Sequence, residues 1–213
     1  MIPQSCIDFL LMEEAGGQSY YSRFACHPTC PGGASGVTIG IGYDLGQVSA
    51  AGFQADWGDL LDPAVMARLS KAIGIHGSTP EGGAQCKAMV AEFADILVPW
   101  DKAVTVFQQK SLPTYLNRTL ATFPGLAALD GQCVGAMVSL VYNRGTSLDG
   151  DSRTEMKTIH DLIAAGTPAG VPDQFRSMKR LWPSVIGIQK RRDAEADMFQ
   201  AGLDAMARTA AVA

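Results

Sequence analysis

Residues 35–46 are the one segment of this chain whose pattern favours a β-strand, and this segment constrains the fold more than any other. Three β-branched residues at positions 37, 39 and 41 alternate with Thr38, Gly40 and Gly42. This period of two predicts a strand with one apolar face and with Thr38 on the opposite face. The two glycines leave the backbone uncovered on the Thr38 face, where a ligand could approach closely. An ordinary hairpin strand with a glycine bulge shows the same pattern.

The remainder of the chain carries the start signals and the periodicity of helices. Asp62 and Thr79 each precede a proline, as an N-cap precedes a proline at the first helical position, and Ser152 with Glu155 matches a capping box. Further helices are predicted over about residues 84–97, 100–110, 113–123 and 130–142. The last of these is apolar nearly all round, which is typical of a buried central helix. The sequence therefore predicts a mostly helical α+β fold.

Two acids, Glu13 and Glu14, stand at the end of the first predicted helix, which closes at the glycine pair Gly16-Gly17. Glu14 continues the apolar stripe of this helix, whereas Glu13 lies one position around it. A half-buried carboxylate at a helix C-terminus is favoured in its protonated form, because it loses hydration and meets the negative end of the helix dipole. That form suits a general acid. A solvated pair of acids at a helix end is the alternative interpretation.

Three segments resemble phage-type lysozymes, glycoside hydrolase family 24. Thr38-Ile39-Gly40-Ile41-Gly42 resembles the core motif of that family, which follows a helix ending in the catalytic Glu. Residues 139–145 resemble the end of its buried central helix, with the terminal Asn and Gly. Residues 187–199 resemble its closing helix, with paired arginines followed by Ala-Glu. The three matches follow the order of the family along most of the chain.

The position of the second acid departs from the usual family spacing. Phage-type lysozymes carry the catalytic Asp between the Glu and the Thr, shortly after a Tyr, but here Ser22 and Arg23 follow Tyr21. No Asp or Glu occurs between Glu14 and Asp44. The order Glu, Thr, Asp is similar to that of the pesticin-like bacteriocin muramidases. By this resemblance the role of the second acid falls to Asp44.

The resemblance implies a single lysozyme-like catalytic domain over residues 1–213. A small β-lobe over about residues 17–46 would carry Thr38 and Asp44. A helical lobe over about residues 1–16 and 47–207 would carry Glu14 and the central helix, with a cleft between the lobes.

The implied activity is that of a muramidase, an enzyme that hydrolyses the β-1,4 bond between N-acetylmuramic acid and N-acetylglucosamine in peptidoglycan. Glu14 would protonate the leaving oxygen, while Asp44 and the Thr38 hydroxyl would hold a water molecule on the other face of the sugar. This inverting arrangement needs roughly 6.5 to 9.5 Å between the carboxyl groups. The residues expected to bind sugars are Tyr43, Tyr142, Asn143 and Arg144, although Tyr142 is equally compatible with a place in the core. Neither a cofactor nor a metal is implied.

Two alternatives remain open at this stage. A lytic transglycosylase acts on the same bond with mainly one acid and leaves anhydro-muramyl ends, and an acid at Asp44 beside the Thr38 motif argues against it. A catalytically silent wall-binding or toxin-like module is the second alternative. The presence of a Glu, a Thr and an Asp in order weakens that interpretation.

Composition restricts the partners and the place of action. A formal net charge of −4 and scattered aromatic residues argue against nucleic-acid binding. The chain lacks the roughly 18 consecutive apolar residues of a membrane helix and a recognisable signal peptide. We therefore expect synthesis in the bacterial cytoplasm and delivery to the periplasm or cell wall, as for an endolysin, a phage-tail lysin or a secreted toxin. Besides peptidoglycan, an immunity or inhibitor protein and delivery machinery are the possible partners.

The basic residues at 179–180 and 190–192 could face anionic wall polymer, but they also fit a solvated helix face.

Five cysteines occur, at positions 6, 26, 30, 86 and 133. Cys26 and Cys30 flank a short stretch of a loop rich in Pro and Gly, residues 24–34, and we expect them to form a disulfide outside the reducing cytosol. A zinc site at these two residues is disfavoured, because the histidines other than His27 are distant in sequence. The remaining three cysteines lie in apolar helical contexts and are expected to be buried.

Overall fold

A computed structural model of the protein describes residues 2–212. These residues are mostly helical and include one two-stranded antiparallel sheet, which confirms the predicted α+β class. The helices are α1 Gln4–Ala15, α2 Gly17–Tyr20, α3 Ala50–Trp57, α4 Pro63–Leu69, α5 Pro80–Glu92, α6 Trp100–Val106, α7 Leu112–Thr122, α8 Gly131–Arg144, α9 Thr154–Ala164, α10 Val171–Ser177 and α11 Ile186–Val212. The strands are β1 Thr38–Ile39 and β2 Tyr43–Asp44. Two π-helical turns, Tyr21–Ala25 and Phe107–Ser111, follow α2 and α6.

The chain forms two compact units. The first, which we call the hairpin unit, is Leu11–Pro113 and contains the sheet. The second, the helical unit, consists of residues 2–10 and 114–212. The division into a β-lobe over residues 17–46 and a helical lobe stays a prediction.

The β-hairpin is shorter than the predicted strand, because its glycines turn the chain. β1 pairs with β2 in the register Thr38 to Asp44 and Ile39 to Tyr43. Gly40 and Gly42 have φ of +56° and +69° and form the turn between the strands. These values lie in the left-handed region, which residues with a Cβ atom rarely adopt. The expectation that these glycines lie on a strand face open to a ligand is therefore wrong. The predicted apolar alternation is confirmed, since the side chains at positions 37, 39 and 41 are all buried.

The structure confirms most of the predicted helix ends but not the predicted capping box. Asp62 accepts a hydrogen bond from the N–H of Ala64 at the start of α4, and Thr79 accepts one from Gly82 at the start of α5. Both predicted caps are confirmed, as is the glycine ending of α1. The predicted capping box at Ser152 and Glu155 is wrong. α9 begins at Thr154 without a side-chain cap, because the Glu155 carboxylate is buried and paired with Arg180.

The helical unit is built around α8, which confirms the prediction of a buried helix there. Residues Ala136 to Val141 are all buried, and α8 packs mainly against α11, which in turn packs against α10. The aromatic residues Phe123, Phe175 and Phe199 fill the same core. An α-helix buried on all sides needs apolar residues around its whole circumference, as the sequence of α8 provides.

The length and the apolar character of the helices decide whether any of them could span a membrane. Within residues 2–212, no helix combines the length and the apolar character needed to cross a bilayer.

Candidate functional site

The predicted acid Glu14 lies in the last turn of α1, and its environment differs from that of its neighbour. Glu14 is half-buried, with its Oε1 atom inaccessible to solvent, whereas Glu13 is exposed. The difference arises because Glu14 follows the buried residues Leu10 and Leu11 on one side of the helix. Burial and the C-terminal end of a helix both disfavour a negative charge, so the position of Glu14 suits a proton donor better than that of Glu13.

The predicted partners Thr38 and Asp44 lie directly opposite each other in the hairpin. The backbone N–H and C=O of Thr38 both bond to Thr29 on the other side of β1, at 2.8 and 2.9 Å. Thr38 and Asp44 therefore form a pair without hydrogen bonds between their own backbones, the type in which facing side chains are closest. Their side chains stand on the same face of the sheet, with Cβ atoms about 4.5 to 5.5 Å apart in such pairs.

Asp44 also organises the loops that flank the hairpin. Its Oδ1 atom accepts hydrogen bonds from the backbone N–H of Gly46 at 2.8 Å and of Gly36 at 3.0 Å. The first of these bonds caps the 3₁₀ turn Leu45–Gln47. The second oxygen, Oδ2, takes part in neither bond. Asp44 can therefore hold the loop with one oxygen while the other remains an acceptor.

Glycine is required where these loops meet. A Cβ atom on Gly36 would lie 2.3 Å from the backbone oxygen of Ile75 and 2.8 Å from the Cα of Gly46. The Thr38 hydroxyl is 3.4 Å from the Gly36 carbonyl oxygen. Close backbone packing around Gly36 therefore fixes the position of both Thr38 and Asp44.

Tyr43, a predicted sugar-binding residue, lies in the core of the hairpin unit. Its ring packs edge-on against Trp57, with centroids 5.6 Å apart, and its hydroxyl donates to Asp56 Oδ2 at 2.9 Å. Lys110 Nζ lies 3.0 Å from the other Asp56 oxygen. Burial and these bonds give Tyr43 a packing role and leave its predicted contact with sugar without structural support. Sequence analysis missed Asp56, because no local pattern signals a contact across 13 residues.

The predicted residues Asn143 and Arg144 lie together at the C-terminal end of α8, where they line a cavity of about 480 Å³ in the helical unit. The Arg144 guanidinium lies over the Trp182 ring, 4.6 Å from its centroid. Tyr142 is half-buried and stacks against Tyr115, with centroids 4.2 Å apart. Burial lowers the pKa of Arg144 to about 10, and the positive charges of Arg153 and Arg192 act in the same direction.

The paired arginines of α11 are buried, so the interpretation of residues 190–192 as a solvated face is wrong for Arg191 and Arg192. Their guanidinium groups lie 3.3 and 2.8 Å from Glu195 Oε1, which also accepts a hydrogen bond from the Ser139 hydroxyl at 2.6 Å. Arg192 Nη2 lies 3.4 Å from Asn143 Oδ1. This buried network joins α8 to α11.

The predicted Cys26–Cys30 disulfide is absent, because all five cysteines are free thiols. Cys26 is buried and its thiol bonds to the Ser22 carbonyl oxygen of the π-helical turn. Cys30 instead lies near the thiol of Cys86 in α5. His27 Nδ1 bonds to the Ile96 carbonyl oxygen at 3.0 Å. Within the described part of the chain, no three metal-binding side chains cluster.

The comparisons with known proteins do not assign a family. No protein-family model matches this chain, and no curated protein matches it.

Proposed function

We propose that this protein is a peptidoglycan hydrolase that cleaves the β-1,4 bond between N-acetylmuramic acid and N-acetylglucosamine. The observation that carries the proposal is the facing pair Thr38 and Asp44, which follows a helix with the half-buried Glu14 in its last turn. Glu14 and Thr38 match the motif of phage-type lysozymes, and the resemblance to the pesticin-like muramidases assigns the second acid to Asp44. The proposed site needs no cofactor.

Glu14 is the proton donor to the leaving oxygen. A general acid must hold its proton near neutral pH, and burial at a helix C-terminus favours the protonated carboxyl group. Glu14 is both half-buried and close to the C-terminal end of α1. Glu13 is close to the same helix end but is exposed.

Asp44 is the base that orients the attacking water. Its Oδ1 atom is fixed by the N–H groups of Gly36 and Gly46, so Oδ2 is held in a defined direction. The Thr38 hydroxyl stands on the same face and can bond the same water. A water held by two oxygens attacks the anomeric carbon with inversion, provided the two carboxyl groups are far enough apart to admit it.

A lytic transglycosylase is the second candidate, and one observation favours it. The Asp44 carboxylate caps the 3₁₀ turn Leu45–Gln47, a structural role that would preserve an aspartate without any part in catalysis. In that case Glu14 alone would serve as acid and then as base, and the muramyl 6-hydroxyl would replace water as the nucleophile.

Digestion of purified, insoluble peptidoglycan separates these functions. We expect the purified protein to clear a wall suspension and to release muropeptides with free reducing ends, which borohydride converts to muramitol and mass spectrometry detects. Anhydro-muramyl ends that resist borohydride would identify the transglycosylase. Protein that sediments with the wall without releasing fragments would identify a silent binding module.

The place of action follows from the substrate. We propose that the protein acts at the cell wall or in the periplasm, after delivery across the inner membrane, and that a producing cell protects itself with an immunity or inhibitor protein.

A further inference from the structure

The cavity at the end of α8 in the helical unit is lined by polar and by apolar side chains. The polar lining consists of Asn143, Arg144, Ser152 and Arg153. The apolar lining, which we call the apolar wall, consists of Leu181, Trp182 and Ile188. The cavity volume of about 480 Å³ is sufficient for a small organic molecule.

The two arginines that line this cavity form no ion pair with a carboxylate of the described residues. The nearby acids bind other cations: Glu155 pairs with Arg180 and Glu195 pairs with Arg192. Within the described residues, the Arg153 side chain forms one hydrogen bond, to the sulfur of Met156 at 3.4 Å. Among residues 2–212, therefore, no ion pair joins a carboxylate to Arg144 or to Arg153.

Arg144 is held in a defined orientation, and one of its hydrogen-bond donors is not used. Its Nη2 donates to the Ser152 carbonyl oxygen and its guanidinium stacks on Trp182. Its Nε is buried and makes no hydrogen bond within the described residues. A buried donor without an acceptor costs free energy, which a ligand acceptor would recover.

The side chain of Asn143 completes the set of donors. Its Oδ1 atom lies 3.4 Å from Arg192 Nη2, so its amide nitrogen remains to donate. Burial is the main cause of the lowered pKa of Arg144, and repulsion from the positive charges of Arg153 and Arg192 adds to it. An anion in the cavity would relieve this repulsion.

We propose that this cavity binds a carboxylate anion attached to a small apolar group. A planar carboxylate matches the fork of a stacked guanidinium, and the second arginine compensates its charge. The apolar wall would contact the body of the ligand. The proposal rests on the helical unit alone and does not depend on the muramidase function proposed above.

Isothermal titration of the full-length protein with N-acetylalanine tests this site, with N-acetylalaninamide as the uncharged ligand of the same shape. We expect saturable binding of the carboxylate and none of the amide. Arg153→Gln should weaken binding on the order of tenfold or more, because it removes one charge-assisted partner. It should leave the fold intact, since the hydrogen bond that it removes is a weak one to the sulfur of Met156.

Arg118→Gln is the matched control. Arg118 is also an arginine of the helical unit over an aromatic ring, 5.5 Å from the Tyr115 centroid, but it is exposed and outside the cavity. This variant should bind N-acetylalanine as the wild type does. Equal affinity for acid and amide, wild-type affinity in Arg153→Gln, or binding of inorganic phosphate without binding of carboxylates would each overturn the proposal.

Discussion

Thr38 and Asp44 face each other across the two strands of the hairpin, and Asp44 simultaneously closes the loops on either side of it. The hydroxyl and the carboxylate therefore belong to one assembly, in which the Asp44 side chain has one structural function and one proposed catalytic function. Its Oδ1 atom holds the backbone, and its Oδ2 atom would orient the water of the proposed reaction.

Substitution of Asp44 can distinguish these functions. Asp44→Asn keeps an oxygen that can accept the bonds from Gly36 and Gly46, so it should lower the free energy of unfolding by less than about 1 kcal/mol. Asp44→Ala removes both bonds and should cost about 2 kcal/mol. If Asp44 activates water, both variants should lose at least about 100-fold in wall-clearing rate. Chemical denaturation and turbidity assays measure the two effects.

The outcome for Asp44→Asn decides between the enzymatic candidates. Full activity in this well-folded variant would remove Asp44 from the mechanism and favour the single-acid transglycosylase. Thr38→Ala should reduce activity less than Asp44→Asn, because its hydroxyl only helps to position the water.

Gly40 should tolerate no side chain. Its φ is +56°, and a Cβ atom there would lie 3.0 Å from Cη2 of Trp57. Gly40→Ala should therefore lower the free energy of unfolding by about 2 kcal/mol, through backbone strain and overpacking. Gly83→Ala in α5 is the control, because a Cβ atom there meets nothing within 4 Å. It should raise stability by about 0.5 to 1 kcal/mol. Equal denaturation midpoints for the two variants would contradict this account of the turn.

Features that depend on a few neighbouring residues could be predicted from the sequence. The caps at Asp62 and Thr79 act on N–H groups two or three residues away, and the structure contains both. The burial of α8 follows from its all-round apolar surface. The half-buried position of Glu14 follows from helical periodicity in the same way.

Features that depend on long-range contacts could not be predicted. Glu155 matched a capping box, but a buried ion pair with Arg180 determines its position. A sequence pattern predicts that arginines such as Arg191 and Arg192 face solvent. Their burial is explained by contacts with Glu195 and Ser139, which form only in the folded protein. The same holds for Cys30, whose neighbour Cys86 is distant along the chain.

Cys30 should be the first cysteine to react with an alkylating reagent. It is partly exposed, whereas the other four are buried. Burial also raises the pKa of Cys6 to about 11 and that of Cys86 and Cys133 to about 12, so their thiolates are scarce at neutral pH. We expect iodoacetamide to label Cys30 alone in the native protein and all five cysteines in denaturant, as measured by peptide mass spectrometry. A non-reduced map with Cys26 linked to Cys30 would contradict the structure.

The buried network on α11 should contribute strongly to stability. Glu195 Oε1 contacts Arg191, Arg192 and Ser139, so Glu195→Gln removes the negative charge from a fully buried cluster. Breaking a buried ion pair on one side should cost about 3 to 5 kcal/mol. Asp161→Asn is the control. It weakens exposed pairs with Lys157 and His160, which solvent screens, and should leave the denaturation midpoint almost unchanged. Similar losses in thermal and urea denaturation would show that burial does not govern the contribution of Glu195.

The two neighbouring acids of α1 provide the sharpest test of the proposed chemistry. Glu14→Gln keeps the shape of the side chain but cannot donate a proton, and we expect the rate of wall cleavage to fall by about 10² to 10⁴-fold. Glu13→Gln makes the same substitution one residue earlier, at an exposed position, and should retain most activity. Because both variants place a neutral amide in the last turn of α1, an effect of the amide on the fold of this helix end would appear in both. A larger loss in Glu13→Gln would transfer the role of proton donor to Glu13, while unchanged cleavage in both variants would exclude this helix end from catalysis.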